Sequence, residues 1–283
     1  MKSKTNAWRL AVCAAGTACL LLAAGLAYPQ QPAPAKKAPA AATLTESQAK
    51  ASEILTRMAT FMAGAQRFSM TVHGDYDAVQ ASGQKVEFGE TRKVTLNRPN
   101  QLRVEGERSD GAKMLAVFNG KEIMLIDGAN NVYATEPQPG GLDDSIIHFV
   151  KDLRMQLPLA MLLVTQLPEE LKNRVRSIDY VEKTKINGIA VHHLAARDDT
   201  VDFQVWVADG EQPLPQRVVI TYKNAKGEPQ FRADLTDWNL APAVTDTTFA
   251  ATPPPGAQKI AFAAQLARST VAARKQSAAK GVK

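Results

Sequence analysis

Hydrophobic and polar residues alternate along most of this chain, and the pattern is clearest in residues 201–207. Three valines and Phe203 fall on one face of an extended backbone there, whereas polar residues such as Gln204 fall on the other. A turn signal at residues 209–210 and a second β-branched run at residues 217–222 complete a predicted hairpin. The chain is therefore predicted to be a sheet protein.

The extended runs between turn signals predict eleven strands. Pairs such as Asn119-Gly120 and Asp127-Gly128 are typical of two-residue hairpins, so neighbouring strands are predicted to be antiparallel. An open sheet of this size must curl to cover its apolar face, which favours a mainly β (α+β) fold with a strongly curved sheet or half-barrel. The predicted strands are residues 67–79, 84–97, 100–108, 112–118, 121–127, 131–135, 176–187, 189–196, 200–208, 215–224 and 228–240.

Two segments have helical rather than alternating patterns. Residues 46–65 carry apolar residues on one stripe after a capping-box pair, Thr45 and Gln48, which predicts an amphipathic helix. Residues 141–174 interrupt the strands and predict a helical insertion. Within it, residues 157–164 are apolar on every side, and Pro158 can start a helix there. Both segments are predicted to cover the concave face of the sheet.

The ends of the chain differ in composition from the rest. Residues 1–27 have basic residues, an apolar run and a small-residue end, which predicts an export signal cleaved near Ala27. An uncleaved membrane anchor is the alternative. Residues 28–44 are predicted to be a disordered Pro/Ala-rich linker, residues 45–260 a single domain, and residues 261–283 a basic tail that is disordered or weakly helical. The predicted location is the periplasm.

Charge and cysteine content exclude some classes of function. The net charge of +6 comes from the ends, because residues 46–256 hold 23 basic and 28 acidic residues, a balance of −5. A nucleic-acid-binding surface is therefore not expected on the domain. Both cysteines, Cys13 and Cys19, lie in the signal, so the mature domain must fold in an oxidising compartment without disulfides.

No catalytic or metal-binding pattern stands out. His192 and His193 are neighbours on a predicted strand, so their rings should point to opposite faces rather than to one ion. The acidic pairs at 143–144 and 198–199 are explained by roles as helix caps and turn residues, without a catalytic function. No phosphate loop, nucleophile elbow or zinc spacing is present, so we expect neither an enzyme nor a cofactor.

Charged residues on an apolar face raise the question of a ligand cavity. On an alternating strand Glu90 and Arg92 share a face with Val94, which would place their charges on the buried side of the sheet. Either a bulge at Gly89 turns them outward, or they are polar anchors inside an apolar cavity; Arg217 raises the same question. Methionines suit an adaptable pocket, although core filling is their commoner use. The predicted cavity or lid residues are Met58, Phe61, Met62, Phe88, Arg92, Met161, Leu162, Phe203 and Arg217.

Four stretches resemble a family of uncharacterised predicted periplasmic proteins, a domain of unknown function related to the LolA/LolB lipoprotein-carrier fold. They are HHLA at 192–195, VDFQVWVADGEQPLPQRVVITYK at 201–223, DWNL at 237–240 and TPPPGAQKI at 252–260. The resemblance implies a protein that holds a lipid, a lipoprotein acyl chain or another amphiphile, and we expect it to be a monomer. The alternative is a sensor or interaction module for other envelope proteins, with no carried ligand.

Overall fold

The computed structural model describes residues 44–153, 155 and 157–262, and one sheet dominates them. Its strands are β1 Arg67–Val79, β2 Lys85–Asn97, β3 Gln101–Arg108, β4 Lys113–Phe118, β5 Glu122–Asp127, β6 Val132–Pro137, β7 Ser177–Ile186, β8 Ile189–Arg197, β9 Val201–Ala208, β10 Pro215–Tyr222, β11 Gln230–Asn239 and β12 Gln258–Lys259. From edge to edge the order is β12-β6-β5-β4-β3-β2-β1-β11-β10-β9-β8-β7. The prediction of a large, curved, mostly antiparallel sheet is confirmed.

Eleven of these twelve strands coincide with predicted strands, and each end lies within two residues of its predicted position. The additional strand, β12, pairs with β6 in parallel through Gln258 opposite Val132 and Lys259 opposite Tyr133. A strand of two residues is too short to show an alternating pattern, so the sequence carries no signal for it. It extends the β6 edge of the sheet.

A helix at the start of the domain, α1 Glu46–Gly64, confirms the predicted amphipathic helix. The Thr45 hydroxyl accepts a hydrogen bond from the Gln48 backbone N–H, and the Thr45 N–H donates to Gln48 Oε1, so the capping box is complete. The helix contacts β7, β8 and β9. Its buried side chains are Ala51, Ile54, Leu55, Met58, Ala59 and Met62.

The described residues of the predicted insertion form four short helical pieces. They are α2 Leu142–Ile147, a π-helical turn His148–Asp152, a 3-10 helix Ala160–Leu163 and α3 Leu167–Arg174. The prediction of an apolar helix starting at Pro158 is wrong in form, because Leu159 has a left-handed backbone (φ 66°) that interrupts any α-helix there. The predicted burial is correct, since Leu162 and Leu163 are both buried.

One face of the sheet, which we call the inner face, packs against α1 and the insertion. A single hydrophobic cluster joins strand residues such as Phe68 and Val104 to Met62 of α1 and Ile146 of α2. On the opposite, outer face, the 3-10 helix Asp246–Phe249 contacts β3. The apolar contacts of α1 and of the insertion therefore lie on the inner face.

The end of the described region returns to the inner-face cluster. Phe262 is buried, and its ring lies edge-on to Phe149 with centroids 6.5 Å apart. A domain limit at residue 260 would omit this contact. The predicted signal (1–27) and most of the predicted linker and tail lie outside the described residues. Within the described part of the chain, no helix has both the length and the apolar character needed to cross a membrane.

Candidate ligand-binding cavities

The first candidate site, cavity 1, lies between the inner face of β2–β5 and the insertion, with a volume of about 310 Å³. Its walls come from alternate, inward-pointing residues such as Val104 on β3 and Leu125 on β5, because every second side chain of a strand shares a face. Leu142, Ile146 and Phe149 of the insertion close the other side. An apolar cavity of this size is within the range of small-ligand sites.

Glu90 and Arg92 are polar residues in the wall of cavity 1. β1 and β2 pair in continuous register, with Arg92 opposite Val72, so the bulge at Gly89 does not occur and both side chains point inward. Gly89 instead faces Asp75, whose Oδ1 lies 3.1 Å from where a Cβ would be. Of the two predicted alternatives, an outward turn at a bulge or an inward orientation, the structure has the inward orientation.

Glu90 and Arg92 form a mostly buried ion pair. Arg92 Nη2 lies 2.7 Å and 2.9 Å from the two Glu90 carboxylate oxygens, and the side chains are only 12% and 11% exposed. Arg92 Nε is buried and has no hydrogen-bond acceptor among the described residues. A buried N–H without an acceptor costs free energy, so this nitrogen is a place where a ligand oxygen would be stabilised.

Glycines beside the ion pair let neighbouring side chains lie close to the strand backbone. Gly106 lies opposite Arg92 on β3, and a Cβ there would stand 2.7 Å from Met114 Cγ. Gly74 lies opposite Glu90 on β1, and a Cβ there would stand 3.2 Å from the Phe231 ring. The sequence interpretation missed both, although a glycine inside an alternating strand is a recognised sign of close approach.

The second candidate site, cavity 2, has a volume of about 410 Å³ and lies between α1, the insertion and β9–β10. Met58, Met161, Leu162 and Phe203 line it, as do Ile146 and Leu157, which also line cavity 1. Burial raises the pKa of Tyr222, another lining residue, and the positive charge of Arg92 opposes part of that rise.

Four predicted cavity residues lie elsewhere. Phe61 and Met62 pack in the core under α1, and neither lines a described cavity. Phe88 is on the inner face but 39% exposed, and it stacks on Tyr76 with ring centroids 5.9 Å apart. Arg217 was placed wrongly, because it points to the outer face, where Asp234 Oδ1 lies 3.5 Å from its Nη1.

The outer face at β8–β11 carries a stacked polar cluster around Arg217. The His193 ring lies 4.0 Å from the Trp206 ring at an interplanar angle of 11°, and the Arg217 guanidinium lies 5.7 Å from the Trp206 centroid. His192 points the other way, as predicted, and its ring nitrogens contact Tyr180 and Asp209. The described residues contain no group of three or more potential metal ligands.

A wider hollow of about 910 Å³ lies at β1–β5 and is mostly lined by outer-face residues. Its walls carry side chains such as His73, Lys93 and Glu105, which are more typical of a hydrated surface than of a ligand chamber. The apolar, partly enclosed cavities of the inner face are therefore the better candidates for a small-molecule site.

Comparison with known proteins identifies the family. The model of the DUF2092 family, described as a predicted periplasmic protein, matches residues 51–263. The chain belongs to this family. The DUF2092 match confirms the predicted resemblance to a family of periplasmic proteins and the periplasmic location. Cleavage near Ala27 falls outside the described residues and stays a prediction. Among proteins with curated descriptions, none matches the chain.

Solved structures with similar folds have low sequence identity to this DUF2092 member. The lipoprotein LppX of Mycobacterium tuberculosis is 12% identical, with coverage of 70% of this chain and 100% of LppX and a TM-score of 0.45. The MucA/MucB complex of Pseudomonas aeruginosa gives 17% identity, 72% and 61% coverage and a TM-score of 0.40. A LolA superfamily protein of Nitrosomonas europaea gives 10% identity, 71% and 97% coverage and a TM-score of 0.35.

Proposed function

We propose that this protein is a non-enzymatic periplasmic binding protein that holds a lipid, a lipoprotein acyl chain or another amphiphile in cavity 1. The observation that supports it is an apolar chamber whose wall contains a mostly buried charged pair, Glu90 and Arg92. Apolar walls favour a hydrocarbon chain, and a few polar groups fix the orientation of its polar end. Cavity 2 offers space for a second chain or for movement of the insertion.

A binding test would use the neutral fluorophore N-phenyl-1-naphthylamine, whose emission rises in apolar surroundings. Ala116 lines cavity 1, and its neighbour Leu115 points to the outer face. Ala116→Phe should fill the chamber and abolish uptake while the unfolding midpoint is kept or raised. Leu115→Phe is the matched control and should leave uptake unchanged. Equal uptake by both variants would remove cavity 1 as the site.

Native mass spectrometry of protein purified gently from the periplasm tests the same proposal without a probe. A co-purifying lipid that is present on wild type and absent from Ala116→Phe would support it. Protein without any bound lipid, together with no fluorophore uptake, would favour the alternative function, an interaction module for another envelope protein.

The outer-face cluster supports that alternative. Trp and Arg are among the residues most enriched at interface hot spots, and Trp206 and Arg217 lie together on the outer face. In that case a photo-crosslinker at position 217 should trap a partner in cells, and Trp206→Ala should abolish the product. The Ala116→Phe variant should leave it unchanged.

A further inference from the structure

We infer that cavity 1 selects an acyl chain whose polar end is an uncharged hydrogen-bond acceptor, such as an ester or amide carbonyl, and that Glu90 excludes free carboxylates and phosphates. This inference rests on the proposed function and adds the chemical class of the ligand. It makes Glu90 the specificity-determining residue of the site.

Arg92 has donors to spare for such an acceptor. A guanidinium carries five N–H donors, and Glu90 engages Arg92 through Nη2 alone. Nε is buried in the cavity wall with no acceptor among the described residues. A carbonyl oxygen placed against Nε would satisfy this donor without disturbing the ion pair.

The charge of Arg92 is already neutralised. Its partner Glu90 is as hidden as Arg92 itself, with 11% of the side chain exposed. A ligand carboxylate beside Arg92 would therefore bring a second negative charge close to Glu90 in a poorly hydrated site. Like charges in such a position repel strongly, whereas a carbonyl brings no net charge.

Other basic side chains around cavity 1 cannot offset that repulsion. Arg108 is paired with Asp110 and is 54% exposed, and Lys113 is paired with Glu107 and is 72% exposed. These exposed charges are screened by water and salt. The charged residues that line the cavity also balance, with Arg92, Arg108 and Lys113 against Glu90, Glu107 and Asp127.

The test compares three competitors with the same acyl chain, monolaurin, lauramide and laurate, in displacing N-phenyl-1-naphthylamine near pH 7. Laurate is ionised at that pH, as carboxyl groups are. Wild type should bind monolaurin and lauramide at least about tenfold more tightly than laurate. Lauryl phosphate should behave like laurate, which extends the exclusion to phosphate heads.

Glu90→Gln should largely abolish the discrimination, because Arg92 would then be an unpaired cation. Laurate affinity should rise by about tenfold, and monolaurin affinity should change by less than about threefold. The matched control is Glu105→Gln, since Glu105 pairs with Arg103 two residues away on β3, at 2.7 Å, but on the outer face. That variant should behave as wild type.

Two results would overturn the inference: laurate binding to wild type as tightly as monolaurin, or an unchanged preference in Glu90→Gln. The wild-type comparison decides the matter even if the variant fails to fold. If wild type takes up no fluorophore and no lauroyl compound, the proposed function itself fails, and the selectivity fails with it.

Discussion

Arg98 holds Leu163 across the inner face: its Nη2 donates a 3.0 Å hydrogen bond to the Leu163 carbonyl oxygen. The same guanidinium donates from Nε to the Ala65 carbonyl at 3.0 Å and lies 3.5 Å from Asp143. The Arg98 side chain, which follows β2, thus connects the end of α1, the start of α2 and the 3-10 helix Ala160–Leu163. Burial lowers the pKa of Arg98, and Asp143 opposes part of that effect.

Removing this connection should loosen the cover of both cavities. Arg98→Ala would leave two partly buried carbonyls without a donor and Asp143 without its cation. We expect the free energy of unfolding to fall by about 3 kcal/mol, measured by urea denaturation. Arg176→Ala is the control, since the Arg176–Asp199 pair is exposed (59% and 69%) and its loss should lower the free energy of unfolding far less than Arg98→Ala does. Equal losses in the two variants would contradict this role of Arg98.

The 3-10 helix Ala160–Leu163 provides a second test, at Leu162. Leu162 is 7% exposed and lines cavity 2, so Leu162→Asp places a charge against apolar walls. The free energy of unfolding should fall by about 4 kcal/mol, as in severe core lesions. Val150 also lines cavity 2 but is 37% exposed, so Val150→Asp keeps its charge in contact with water and should cost less than about 1 kcal/mol. An unchanged midpoint for Leu162→Asp with loss of fluorophore uptake would indicate instead that the insertion is a movable lid.

The last described residue tests where the domain ends. Phe262 is 3% exposed beside Phe149, so Phe262→Ala should lower the free energy of unfolding by about 3 kcal/mol. Ile260 is 48% exposed, and Ile260→Ala should have an effect below about 1 kcal/mol. A chain trimmed to residues 44–262 should unfold at the same urea concentration as the mature protein. A lower midpoint for the trimmed chain would place stabilising residues outside these limits.

Acid sensitivity should depend on Asp77, which is 5% exposed. Burial raises the pKa of this carboxyl, but the Gln230 N–H and the Arg232 guanidinium, 3.0 Å away, lower it more, so the net pKa is below its ordinary value. Such a group stabilises the fold fully above the unfolded pKa, near 4, and this contribution is lost as pH falls through the lower folded pKa.

Asp77→Asn should therefore be less stable than wild type near pH 7, by about 2 kcal/mol, and should lose less stability below pH 4. Urea denaturation across this pH range measures both effects. The exposed Asp179 provides the control, because Asp179→Asn should leave the stability near pH 7 close to that of wild type. Parallel profiles for wild type and Asp77→Asn would contradict the assignment.

The sequence by itself determined the local elements. A strand repeats every two residues and a helix every 3.6, so the strand limits and α1 could be read from patterns that lie within a few residues of one another. The Thr45–Gln48 capping box is equally local. Parity also placed Glu90 and Arg92 on the face shared with Val94, although the sequence could not decide whether a bulge intervenes.

Only the tertiary structure decided what these elements enclose. The continuous β1–β2 register, which places Arg92 opposite Val72, directs the Arg92 side chain into the cavity wall. The alternating pattern did not show which way Arg217 points, because Val218, Val219 and Ile220 put apolar side chains on both faces of β10. Packing alone selected the face of Val218 as the inner one. Cavity 1 itself needs β3–β5 and α2 together, and such non-local contacts leave no period in the sequence.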